Sequence, residues 1–318
     1  MALIATLVDN YRPNSSLAVP AAPITAVLYD NDTPRYLPHM DHPEVLQMGL
    51  SPLGSASWIE TDNHLAAYHQ HKLRQRRLLG DRVYRATAGS LAAQRELADR
   101  LLAHLSIDQG QLYRIDGTRL HCLPGNFSTA LATTEPLWNC SLWLADDLVI
   151  MERQRGEYRL TAASLCSPSH WRLEDKFDCP LRAIHDPIPG FHRALTPRID
   201  RFFEHLKVEH PVVRTNWALQ ANGQLNPNDS DEFPVSADTP LYYRSERQSL
   251  VRLPKSGAVA FTIRVYLHPL SMLAAVPGAL PALFTAIDRT PPALARYKSF
   301  DRLAPALAAW RDVSGVHA

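Results

Sequence analysis

The chain has little cysteine and little glycine for its length, with four cysteines and 13 glycines in 318 residues. Cys122, Cys140, Cys166 and Cys179 lie far apart and no C-x-x-C occurs, which argues against a zinc ribbon, an iron–sulfur cluster or a thioredoxin motif. They read as reduced and mostly buried. Glycine-rich signatures are missing too: no G-x-G-x-x-G after a strand, no Walker A loop, no G-x-S-x-G elbow, and no H-E-x-x-H. A self-contained dehydrogenase, NTPase, serine hydrolase or zincin is therefore not expected.

Charge of one sign is also lacking. The 33 Lys and Arg residues nearly balance the 32 Asp and Glu residues and are interspersed with them, so neither a nucleic-acid partner nor a polybasic membrane patch is expected. The start, MALIATLVDNYRP, has no positive n-region, and Asp9 stops its short apolar run. The longest apolar segment, 272–287, is broken by Pro277, Gly278 and Pro281, too short and interrupted to span a bilayer. A soluble cytoplasmic protein is the expectation.

What is present is an apolar content of 46%, enough for a sizeable core. Residues 1–46 carry Pro13, Pro20, Pro23, Pro34, Pro38 and Pro43 between short apolar patches, the pattern of an extended arm. Helical spacing recurs over 58–79 and 89–105, the second with Ser90 as a plausible N-cap. After Trp138 the period changes. Residues 141–151 and 157–165 read as strands around a 152–156 turn, 190–209 as helix, and 212–220, 241–253 and 258–268 as three more strands. The last two flank Pro254-Lys255-Ser256-Gly257, a turn signal that makes them a hairpin. The polar stretch 221–240 reads as a long surface loop, and 269–318 as a helical C-terminal cap. Two strands, a helical insert and three strands is the order of a PAS-like antiparallel sheet, so the expected class is α+β with helical extensions at both ends. The expected division is an arm over 1–46, a central domain over 47–275 and a cap over 276–318.

Two constellations could carry chemistry. In WRLEDKFDCPLRAIHDPIP, residues 171–189, Pro187 and Pro189 stiffen the chain around His185. His185 is either a helix-end or turn histidine bonded to backbone, or an axial metal ligand with Asp186 orienting it and Trp171 and Phe191 as apolar walls. His69 and His71, two residues apart, face different sides of a helix and do not read as a metal pair. The second constellation is the hairpin, where Arg244, Glu246, Arg247, Gln248, Arg252 and Arg264 concentrate polar and charged groups on strands. Either these groups pair on a sheet surface, or they are buried and bind something. Glu246 and Arg264 share a face if the hairpin loop has an odd number of residues and lie on opposite faces if it is even. Sequence leaves that register open.

The segments SPSHWRLEDKF, IHDPIP, VRTNW, RSERQSLVRLP and AFTIRVYL, with weaker matches at MGLSPL and LWLADDLVIME, together resemble the haem-dependent oxidative N-demethylase-like family, typified by the haem subunit of a dimethylamine monooxygenase. The likeness spans about residues 48–275. Lys176-Phe177-Asp178 stands where the family favours a Lys-Leu-Gly run, and Ala145-Asp146-Asp147 replaces a more acidic, glutamine-led triplet.

The resemblance implies a PAS-like pocket for haem b with His185 as proximal ligand. Without C-x-x-C-H the haem would be held with no thioether bond. It also implies Glu246 as a carboxylate for a protonated amine. Arg264 would polarise oxygen or neutralise a propionate, with Asn216 and Trp217 in the pocket wall. The implied reaction is dioxygen-dependent removal of an N-methyl group from a small secondary amine as formaldehyde. Electrons would come from a separate flavin and 2Fe–2S reductase using NADPH. Three alternatives stand beside it: tailoring of an amino-acid-derived metabolite, a haem gas or redox sensor, and a cofactor-free scaffold.

Overall fold

A computed structural model describes residues 29, 33–42, 44–54, 57–169, 171–191, 196–227 and 234–315. The strands in chain order are β1 Ser51–Pro52, β2 Tyr84–Ala86, β3 Tyr113–Asp116, β4 Arg119–Cys122, β5 Phe127–Ala130, β6 Asp147–Gln154, β7 Glu157–Ser164, β8 Val212–Gln220, β9 Tyr242–Arg252 and β10 Val259–Pro269. Seven of them form one sheet in the order β1-β8-β9-β10-β6-β7-β2, and β3-β4-β5 form a small second one. Every pairing is antiparallel, so the chain is α+β as expected.

The helices are α1 Pro38–Asp41, α2 Leu65–Leu79, α3 Leu91–Ile107, α4 Pro136–Ser141, α5 Leu173–Lys176, α6 Leu181–His185, α7 Thr196–His205, α8 Leu270–Ala274, α9 Ala279–Asp288, α10 Pro292–Tyr297 and α11 Ala304–Ser314. Helices α5 to α7 form an insert between β7 and β8. The long hairpin is where sequence and structure agree most closely, because β10 carries a long run of alternation and the turn before it is unambiguous. Glu96 on α3 fixes that turn by accepting the Lys255 and Ser256 backbone N–H groups at 2.7 Å each.

Elsewhere boundaries moved for local reasons. The helix expected from Trp58 starts at Leu65, because the Asp62 carboxylate accepts the His64 N–H at 2.9 Å and holds a turn there. Ser90 is not a side-chain cap: it lies in a helical conformation and its hydroxyl donates back to the Thr87 carbonyl. The strand expected from Ser141 begins at Asp147, since Pro136 starts helix α4 over the preceding residues. The β6–β7 turn is only Arg155-Gly156, both at positive φ (53° and 88°), a tight primed turn in which glycine takes the second position without strain. The small sheet was not foreseen, its strands being four residues each and mostly unburied on β3. Most of the expected N-terminal arm lies outside the described residues, as does 192–195 of the expected 190–209 helix.

Three-strand rows set the faces of the large sheet. Asn216, Glu246 and Val265 are in register, as are Thr215, Arg247 and Arg264. Arg252 pairs with Val259, so the connecting loop has an even length and Glu246 and Arg264 point to opposite faces. The front face meets the insert. Behind, Tyr68 of α2 donates to the Val265 carbonyl at 2.5 Å and its ring lies 4.3 Å from the Arg264 guanidinium.

Candidate functional site

Between the front face and the insert lies a cavity of about 460 Å³. That volume is within the usual range for cofactor and ligand pockets. Alternation dictates the floor: Val149 and Met151 from β6, Arg214, Asn216 and Ala218 from β8, Glu246, Gln248 and Leu250 from β9, and Phe261 and Ile263 from β10. The insert supplies Trp171, Ile184, His185, Phe191, Phe202 and Phe203. Most of this wall is apolar and aromatic, and polar groups gather at β8 and β9.

His185 ends helix α6, which Pro180 opens. Its Nδ1 donates to the Leu181 carbonyl at 2.8 Å, so in the neutral ring the lone pair sits on Nε2. The ring stacks on Phe191 at 4.2 Å between centroids and 3° between planes. Stiffness from the pre-proline restriction is not what holds it, because Asp186 keeps helical angles (φ −48°, ψ −40°) in front of Pro187. The turn is held by hydrogen bonds instead, including Ile188 N–H to the His185 carbonyl at 3.0 Å.

Ser167, Pro168 and Ser169 extend the same wall. They are anchored to the sheet at two points: the buried Asp147 carboxylate accepts the Cys166 and Ser167 N–H groups at 3.0 and 2.7 Å, and Arg244 donates to the Ser167 carbonyl.

Glu246 sits at the centre of the polar patch. One of its carboxylate oxygens accepts from Arg244 Nε at 2.9 Å, and the other from Gln248 at 3.0 Å and Asn216 at 3.4 Å. Burial alone would raise its pKa, but the Arg244 charge and hydrogen bond, helped by Lys298, hold it below the ordinary carboxylate value. Glu246 is therefore an anion already matched by Arg244.

The expected site residues separate into two groups. His185, Trp171, Phe191, Asn216 and Glu246 all line this cavity. Arg264 and Trp217 do not. Arg264 is fully buried behind the sheet, donating to Asp62 at 2.7 Å and to the Tyr29 hydroxyl at 2.5 Å. Its expected meeting with oxygen or a propionate in this cavity does not fit that place, and the cause is the even hairpin register. Trp217 belongs to a separate core, stacked between Tyr243 and Phe300.

Of the other hairpin charges, Arg247 pairs with Glu60 at 3.3 Å and Arg252 is bonded to the Tyr158 hydroxyl and to backbone carbonyls of 203, 206 and 257. For these the paired-surface reading applies, although the surface they pair against is internal.

Sequence reasoning missed three contributors, whereas Gln248, named with the hairpin charges, does line the cavity. Arg214 follows from alternation, since it lies two residues along its strand from Asn216, already singled out. Tyr297 and Lys298 give no such signal. They come from the end of α10, in the segment expected to form only a cap, yet both line the cavity. Lys298 donates to the Trp217 carbonyl at 2.8 Å and to the Asn216 side-chain oxygen at 3.5 Å. Burial lowers its pKa to about 8 although Glu246 pulls the other way.

No group of three His, Cys, Asp or Glu among the described residues is arranged to chelate a metal ion. What the cavity does offer is one imidazole fixed through its far nitrogen, aromatic walls, and unmatched cations at one end. That donor set fits a flat apolar macrocycle carrying acidic substituents and a single protein ligand to its iron. No described helix is long and apolar enough to cross a membrane. The family model described as haem-dependent oxidative N-demethylase, alpha subunit-like, matches residues 49–308, which takes in the whole cavity lining except Val45, Leu46, Gln47 and Met48, and the chain belongs to that family.

Proposed function

We propose that this chain binds haem b in the cavity, where His185 Nε2 would hold its iron, and oxidatively demethylates a small N-methylated amine. The observation that carries the reading is that His185 from the insert and Glu246 from the sheet line the same cavity. A PAS-like description goes with it, supported by the strand order β7-β6-β10-β9-β8 with the helical insert between β7 and β8 lying over the cavity.

When bound, haem supplies the activation of dioxygen needed to oxidise an N-methyl group to formaldehyde. The chain's own residues bind and orient. Phe191 and the Leu181 carbonyl fix the imidazole plane and tautomer. A carboxylate has about four acceptor positions and Glu246 uses three, so one remains for an ammonium N–H. Trp171, Phe202 and Phe203 keep water from the amine, which strengthens that charge-assisted bond. With no nucleotide fingerprint or cluster ligands in the sequence, electrons would come from a separate reductase, which the family resemblance implies is a flavin and 2Fe–2S protein using NADPH.

The test is an absorption spectrum followed by turnover. Purified protein given haem should show a Soret band that His185→Ala abolishes or displaces. With a reductase and a methylated amine it should release formaldehyde, and Glu246→Gln should lower that rate by about a hundredfold while leaving the Soret band in place. An unaltered band in His185→Ala sinks the ligand assignment. Gas binding without formaldehyde release would favour the sensor instead.

A further inference from the structure

The cavity holds more positive charge than a small amine needs. Arg172, Lys176, Arg214 and Lys298 line it against Asp175 and Glu246, and Arg244 already matches Glu246 in an ion pair. An unmatched cation in a water-poor pocket is costly, so its neutralisation by a ligand is strongly favourable.

Two of these cations are kept from the carboxylate by amide spacers. Arg214 reaches Gln248 at 3.0 Å and Gln248 in turn reaches Glu246 at 3.0 Å. Lys298 reaches Asn216 at 3.5 Å and Asn216 reaches Glu246 at 3.4 Å. Neither cation pairs with an acid among the described residues. Arg214 spends one N–H on Gln248 and one on the Gln47 carbonyl at 2.9 Å, and its buried Nε has no partner among the described residues. A guanidinium has five N–H groups, so donors remain.

We propose that Arg214 and Lys298 form a carboxylate-binding subsite in this cavity. The proposal rests on haem occupying the cavity. A carboxylate is the fitting anion because its two oxygens suit a guanidinium and an ammonium together, while the rest of the wall is apolar and takes a hydrocarbon body. Its source is the substrate, as an N-methylated amino acid with its ammonium on Glu246, or a haem propionate.

The experiment compares wild type, Lys298→Met, Lys298→Arg and Arg214→Gln, each checked for native circular dichroism and loaded with haem. Three quantities are read: haem affinity, affinity for the dimethyl ester of haem, and the Soret shift on titration with N-methylglycine or dimethylamine. If the substrate brings the carboxylate, N-methylglycine binds wild type at least about tenfold more tightly than dimethylamine; Lys298→Met erases that preference, Lys298→Arg restores it, and haem affinity stays constant. If a propionate fills the subsite, Lys298→Met and Arg214→Gln lose about tenfold or more in haem affinity, and wild type discriminates against the ester while the variants do not.

Natively folded variants that keep wild-type haem affinity and wild-type ligand preference overturn the subsite, even where His185 is shown to hold the haem. Should Arg214→Gln fail to fold, the Lys298 variants decide. A wild type with no Soret band overturns the haem reading and the subsite with it.

Discussion

The two faces of β9 and β10 bury the same kinds of residue and use them differently. On the front, Glu246, Gln248, Arg214 and Lys298 border a cavity, and the cations there are held at one amide's distance from the acid. Behind the sheet Arg264 is clamped between Asp62, Tyr29 and the rings of Tyr68 and Tyr266, although its Nε and Nη1 have no hydrogen-bond partner among the described residues. A buried charge with its counter-charge in contact is structural; a buried charge held off its counter-charge beside a cavity is poised for a ligand. Charge on a strand does not tell these apart, whereas the group each charge touches does: on the front face itself Arg244 contacts Glu246 directly while Arg214 and Lys298 do not.

The largest effect should come from breaking the rear face. Arg264→Met removes the 2.7 Å ion-pair partner of the buried Asp62 and leaves only Arg35 at 3.9 Å as counter-charge, which should lower the free energy of unfolding by about 3–5 kcal/mol in a denaturant titration. The folded fraction should still take up haem with an unaltered Soret band, since Arg264 does not reach the cavity. A displaced band in a natively folded Arg264→Met would erase the division between faces.

Asp146 gives a smaller effect behind the sheet. Burial raises its pKa to about 6 despite Arg264, Arg247 and Lys72, and neither carboxylate oxygen has a hydrogen-bond partner among the described residues. Between the ordinary carboxyl value of about 4 and that raised value, the native state holds a proton that the unfolded chain has released, so wild-type stability falls as pH rises through this window. Asp146→Asn lacks that term. Its stability relative to wild type should therefore climb from pH 4 to 6 by on the order of 1–3 kcal/mol and then level off. Unfolding curves whose difference does not change with pH would rule this out.

The sequence made much of this readable, for identifiable reasons. Long alternation and the Pro254 to Gly257 turn marked the hairpin to within a residue, and the same alternation was enough to group Arg214 with Asn216 and Glu246 with Gln248. What it could not show was whether Glu246 and Arg264 share a face, because register depends on which residues stop pairing at the turn. Lys298 was hidden for another reason. It enters the cavity from a helix end some eighty residues beyond β8, so its place follows from tertiary packing alone.

The mildest test contrasts the faces through pH. Burial lowers the Lys298 pKa to about 8, with Arg214 adding to the shift and Glu246 opposing it. Above that value the native amine is neutral, whereas in the unfolded chain it stays protonated to about pH 10.4. Over this window the unfolded state binds the extra proton, so native stability should rise with pH, opposite in sign to the acid-side effect of Asp146. In Lys298→Met that alkaline rise should vanish while the acid-side fall from Asp146 persists, because the two groups lie on different faces of the sheet. A rise that survives in Lys298→Met would belong to some other group and would remove the pH argument for an unmatched front-face cation.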